Sequence, residues 1–88
     1  MDTVIVSYDV EAGATYVELR ANTPVTHTVE ISDLVAVDVD AHNEPIGIDF
    51  AVPPSLITEQ MLHRIVDAFP IPVLKGLADD RSWLLTRA

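Results

Sequence analysis

The chain has 88 residues, with fourteen acidic and five basic side chains, a net charge of -9 and no cysteine. That length supports one domain, the charge repels nucleic acid and anionic membranes, and the missing thiols exclude a disulfide framework or a thiolate zinc site. With 49% apolar residues and a mean hydropathy of +0.28, the chain carries more apolar surface than one small sheet face can hide, so a homo-oligomer is expected.

The segment Met1-Asp2-Thr3-Val4-Ile5-Val6 has no basic region or long apolar run, which predicts neither export nor membrane insertion and a cytoplasmic location. Val4, Val6 and Tyr8 alternate with Thr3, Ile5 and Ser7 as a first strand, and Asp9-Val10-Glu11-Ala12-Gly13 breaks the pattern with turn-type residues. A second strand runs from Ala14 to Arg20, with Thr15, Val17 and Leu19 opposite Tyr16, Glu18 and Arg20, and Ala21-Asn22-Thr23-Pro24 ends it.

From Thr26 to Ile31 the period of two continues, with His27, Val29 and Ile31 on one face and Thr26, Thr28 and Glu30 on the other. Ser32-Asp33 turns the chain. Val35, Val37 and Val39 oppose Ala36, Asp38 and Asp40 in a fourth strand, and Ala41-His42-Asn43-Glu44-Pro45 leads to Ile46, Ile48 and Phe50 in a fifth. Asn43 tolerates the left-handed backbone that such a turn needs.

Pro53-Pro54 closes the sheet segment, because proline cannot donate to a ladder. Beyond it the period changes to 3.6: Ile57, Met61, Leu62, Ile65, Val66 and Phe69 gather on one side of a helix, and Glu59, Gln60, His63, Arg64 and Asp67 on the other. Thr58 is the expected N-cap, with Ile57 and Leu62 placed as a hydrophobic staple, while Ser55 offers an earlier start. Pro70 stops the helix. In residues 71–88 the apolar positions follow no clear period around Pro72 and Gly76, and Asp79-Asp80 are placed to cap a short terminal helix carrying Trp83, Leu84 and Leu85.

The fold expectation is α+β in a single domain, 1–88: an antiparallel five-stranded β-meander sheet over 3–52, one amphipathic helix over 55–69, and a short apolar C-terminal extension over 71–88.

The order of Tyr8-Asp9, Ala14-Thr15-Tyr16-Val17, Val37-Asp38-Val39-Asp40 and Gly47-Ile48-Asp49-Phe50 resembles the domain-of-unknown-function family 2283, also called YuzE-like. The resemblance covers roughly residues 3–52 and implies a small bacterial sheet domain. Gly13 stands where that family usually has aspartate, Asn43 where its turn has glycine, and Asp49 where it has glutamate. The resemblance brings no catalytic residues, and it implies for some members a partnership with small toxins.

Chemistry-bearing motifs are sparse. Asp38-x-Asp40-x-His42-Asn43 with Asp49 has a superficial likeness to a calcium loop, but the ends fall in strands and the fifth position is an imidazole, so a solvated acidic hairpin is the expectation. His27, His42 and His63 fall in a strand, a turn and a helix face, with no ligand spacing on one element. Ser7, Ser32, Ser55 and Ser82 lack the glycine-flanked elbow of a catalytic serine. No catalytic residue, cofactor site or metal site is assigned.

The leading functional expectation is a non-catalytic protein-interaction module, antitoxin-like, whose acidic surface meets a small basic protein. Its interaction candidates are Glu18, Glu30 and Asp38 on the sheet and Trp83 as an apolar anchor. The alternative is a small-ligand-binding or enzymatic protein with a site at a subunit interface drawing on Asp9, Glu11 or Asp38, and a third reading is a structural accessory domain.

Overall fold

The computed structural model describes residues 4–80 and Trp83. Five strands, β1 (Ile5–Asp9), β2 (Ala14–Glu18), β3 (His27–Ser32), β4 (Val35–Val39) and β5 (Pro45–Phe50), are followed by a 3-10 turn over Pro54–Leu56 and two helices, α1 (Glu59–Ala68) and α2 (Pro72–Asp79). All strand pairings are antiparallel. The α+β class and the strand positions agree with the period-two reading.

The expected meander order does not hold, because the sheet order is β1-β2-β5-β4-β3. Consecutive hairpins join β3, β4 and β5, but β5 inserts beside β2, so the chain between β2 and β3 crosses the ends of β5 and β4. Burial explains the order. Val17 of β2, Val37 of β4 and Ile48 of β5 are fully buried and pair in one row, whereas β3 contains no buried residue and β1 only Val6. A true meander would put polar β3, with His27, Thr28 and Glu30, in the centre and send apolar β5 to an edge. Burying a side chain such as Ile48 or Phe50 contributes about 1.5–3 kcal/mol, which favours the observed order.

The turns follow local chemistry. Gly13 in the β1–β2 turn, Asn22 in the crossover and Asn43 in the β4–β5 turn adopt left-handed φ values of 65°, 58° and 62°. Asn43 therefore does what its residue type suggests.

The core face of the sheet carries Val17, Val35, Val37, Val39, Ile48 and Phe50, packed with Leu62 and Ile65 of α1 and Leu74, Leu77 and Ala78 of α2. Helix α1 starts at Glu59 rather than near Ser55, which lies in the 3-10 turn. Its cap is Thr58, whose side-chain oxygen accepts the Met61 N–H at 3.2 Å, and both staple residues, Ile57 and Leu62, are buried.

The expectation of one helix is corrected by α2. Pro72 sits at its start, where a missing N–H costs nothing, and Leu74, Leu77 and Ala78 form an i, i+3, i+4 stripe against the core. Eight residues with an uncapped start and an interior glycine give too little pattern to be distinguished from a loop. Leu84 and Leu85, expected in a terminal helix, lie outside the described residues. Among the described residues no helix is long and apolar enough to cross a membrane.

Candidate functional site

Because side chains alternate across a strand, covering one sheet face with helices leaves the residues of opposite parity on the other face. The open face brings together Ile5 and Ser7 of β1, Tyr16 and Glu18 of β2, Gly47 and Asp49 of β5, Ala36 and Asp38 of β4, and Thr28 and Glu30 of β3. Glu18, Glu30 and Asp38, named from the sequence, therefore share a surface, and Asp49 joins them.

Tyr16 organises the middle of this face. It pairs with Asp49 across the ladder but leans diagonally over Gly47, and its hydroxyl donates to Asp38 Oδ2 at 2.9 Å. The other Asp38 oxygen accepts from the Thr28 hydroxyl at 2.7 Å, so one carboxylate ties β2 to β3 across the two intervening strands. A Cβ placed on Gly47 would overlap the Tyr16 phenol, which is why the strand has a glycine there. Partial burial, the hydrogen bond to Asp38 and the negative charges of Asp38, Glu18 and Asp49 push the phenol pKa from 10.0 up to about 12. Tyr16 is accordingly a neutral donor at physiological pH.

Two further aspartates organise turns. Asp9 Oδ1 accepts the backbone N–H groups of Glu11 and Ala12 at 3.1 and 3.2 Å, which shapes the β1–β2 turn. Asp40 Oδ1 accepts those of His42 and Glu44 at 2.8 and 3.0 Å in the β4–β5 turn, while Oδ2 pairs with Arg20 from the crossover. The Glu44 amide, the Arg20 guanidinium and the His42 amide hold the Asp40 carboxyl at about 2, below its usual 3.8, against the opposing effect of burial. Arg20 thereby clips the β2–β3 connection to the turn it passes.

Asp38 and Asp40 are thus committed to protein donors, and Asp38 does not share a loop with the other acids as a calcium site requires. Among the described residues no group of three or more His, Cys, Asp or Glu side chains is placed to hold a metal. His27 and His42 are exposed, and His63 lies on the exposed side of α1 with Nε2 3.9 Å from Glu59. A cleft of about 330 Å3 runs between the β3–β4 turn and α1, beside Leu34, Met61 and Arg64, but the Arg64 guanidinium already donates to the Ile31 carbonyl at 3.3 Å.

Trp83 lies apart from the acidic face. Its ring packs against the core and its Nε1–H donates to the Leu77 carbonyl at 2.9 Å. Sequence reasoning overlooked Gly47 and Asp49 as part of the surface; a glycine inside an otherwise apolar strand was the available signal for a close approach by another group.

A family model described as "Protein of unknown function (DUF2283)" matches residues 5–51, from the start of β1 through β5. No curated protein and no solved structure matches the chain.

Proposed function

The chain belongs to the DUF2283 family of proteins of unknown function, and from that premise we propose that it is a non-catalytic interaction module whose open sheet face docks a small basic protein, in the manner of an antitoxin. The observation that carries this reading is the open face itself. Glu18, Glu30 and Asp49 stand on it around Tyr16, and their side chains make no hydrogen bond or ion pair among the described residues. Together with a net charge of -9, they create an attractive field for a cationic surface.

The commitments of Asp9, Asp38 and Asp40 support docking over acid–base chemistry. A carboxylate engaged by two backbone amides, or holding a tyrosine, is poorly placed to exchange protons with a substrate. Asp38 serves this surface indirectly by presenting the phenol ring of Tyr16, and partly exposed aromatics are favourable contacts at the centre of an interface.

The test is co-expression with the product of the adjacent gene, followed by association kinetics of the purified pair over a salt series. Charge reversal at Glu18→Lys, Glu30→Lys and Asp49→Lys together should slow association and flatten its salt dependence, because these charges steer encounter. Asp38 is left intact so that Tyr16 keeps its position. Association with unaltered rate and salt dependence in the triple variant rejects the open face as the docking surface.

A further inference from the structure

The sheet has two edges, and they differ. On β3 the edge is interrupted by a register shift between Glu30 and Ser32, the Ile31 carbonyl is capped by Arg64, and Glu30 adds charge. These are the usual ways in which an edge is closed to another strand. Strand β1 pairs with β2 in continuous register from Ile5 to Asp9, with no bulge, proline or lysine.

The direction of the free backbone groups on β1 follows from the ladder. Leu19 N–H donates to the Ile46 carbonyl, so the odd-numbered residues of β2 bond to β5 and the even-numbered residues bond to β1. Glu18, Tyr16 and Ala14 then exchange hydrogen bonds with Ile5, Ser7 and Asp9. Val6 and Tyr8 consequently direct their N–H and C=O groups outward, where they have no partner among the described residues. Among the described residues, three of the six exposed large apolar side chains, Ile5, Tyr8 and Val10, lie on this strand or immediately after it, and Val10 is 77% exposed.

We propose that β1 is a self-association edge, at which a second copy of this chain adds its own β1 antiparallel to form a continuous ten-stranded sheet across a two-fold axis. Bonding both outward residues within Ile5–Asp9 sets the register. Val6 of each copy exchanges both backbone hydrogen bonds with Tyr8 of the other, and the two Ser7 residues meet as the non-hydrogen-bonded pair on the axis. Ile5 then lies opposite Asp9, so no like charges face each other despite the acidic chain. Both copies present their acidic faces on the same side of the joined sheet. This interface lies on the β1 edge and borders the docking surface proposed above at Ile5 and Ser7, without using Glu18, Glu30 or Asp49.

The test is sedimentation equilibrium of the full chain over a micromolar concentration series, with amide exchange followed in parallel. The parent chain should dimerise, and the Val6 and Tyr8 amides should exchange more slowly as concentration rises. Tyr8→Pro removes an outward donor without touching the β2 ladder and should give a monomer with an unchanged circular dichroism spectrum. Should that variant fail to fold, Ser7→Lys and Ser7→Asp keep the proposal falsifiable: each alone should weaken the dimer roughly fivefold by placing like charges on the axis, and mixing the two should restore it. A parent chain that stays monomeric at high micromolar concentration overturns the proposal. So does a dimer whose strength is the same in both Ser7 variants and in their mixture, because the contact then lies elsewhere.

Discussion

Replacing Gly47 with alanine is expected to destabilise the protein when Tyr16 is present and to stabilise it when Tyr16 is absent. An alanine Cβ would occupy the space of the phenol, so the ring must swing away and release Asp38. Losing a hydrogen bond to a charged group costs about 1.5 kcal/mol at a partly exposed position, and replacing glycine within a strand returns about 0.5–1 kcal/mol through the lower entropy of the unfolded chain. The ring also stops covering the strand beneath it, so the net loss should be about 1 kcal/mol, or a melting temperature lower by about 4–8 °C for a domain of this size. In a Tyr16→Ala background only the entropy gain remains, and Gly47→Ala should stabilise by about 0.5–1 kcal/mol. Urea denaturation of the four proteins, all at one concentration, completes the double-mutant cycle. Equal destabilisation in both backgrounds would refute the idea that Tyr16 dictates this glycine. The same displacement can be read spectroscopically in a Tyr8→Phe background, where phenolate absorbance reports Tyr16 alone: its pKa should fall from about 12 toward 10.0 when Gly47 becomes alanine.

Because the folded phenol titrates above the unfolded one, Tyr16 contributes stability fully below pH 10 and loses it as pH rises through about 12; Tyr16→Phe should flatten that alkaline limb in pH-dependent melts. Asp40 has the opposite sign, since its folded pKa of about 2 lies below 3.8: its contribution is present above pH 3.8 and disappears as pH falls through about 2. Asp40→Asn should therefore reduce the pH dependence of stability between those values, and unchanged acid unfolding would contradict the turn-capping role. Thr58→Ala removes the acceptor for the Met61 N–H and should cost about 1 kcal/mol in thermal or urea unfolding, whereas Ser55→Ala should cost much less because α1 begins after it.

Strand positions and faces were legible because side-chain alternation is a local property. Val17, Val37 and Ile48 declare their inward direction through their immediate neighbours, whatever strand they pair with. Capping is equally local, so Thr58, Ile57 and Leu62 identified the start of α1 within a few residues. Helix α2 was not legible, since its evidence amounts to Leu74, Leu77 and Ala78 in a short segment opened by proline and interrupted by glycine. Its helical state depends on the core surface it covers.

The strand order had to come from the tertiary structure. Alternation says which face of β5 is apolar but not which strands flank it, and only the competition among five strands for the two-sided central positions puts β5 between β2 and β4. The acidic surface has the same origin. Glu18, Glu30 and Asp38 were recognisable as outward-facing from their parity, yet their common face, the addition of Asp49, and the Tyr16 ring lying over Gly47 to reach Asp38 all follow from the β2–β5–β4–β3 adjacency. Local patterning determined which way each side chain points, and the burial of the most apolar strands at the centre of the sheet decided which of those side chains meet.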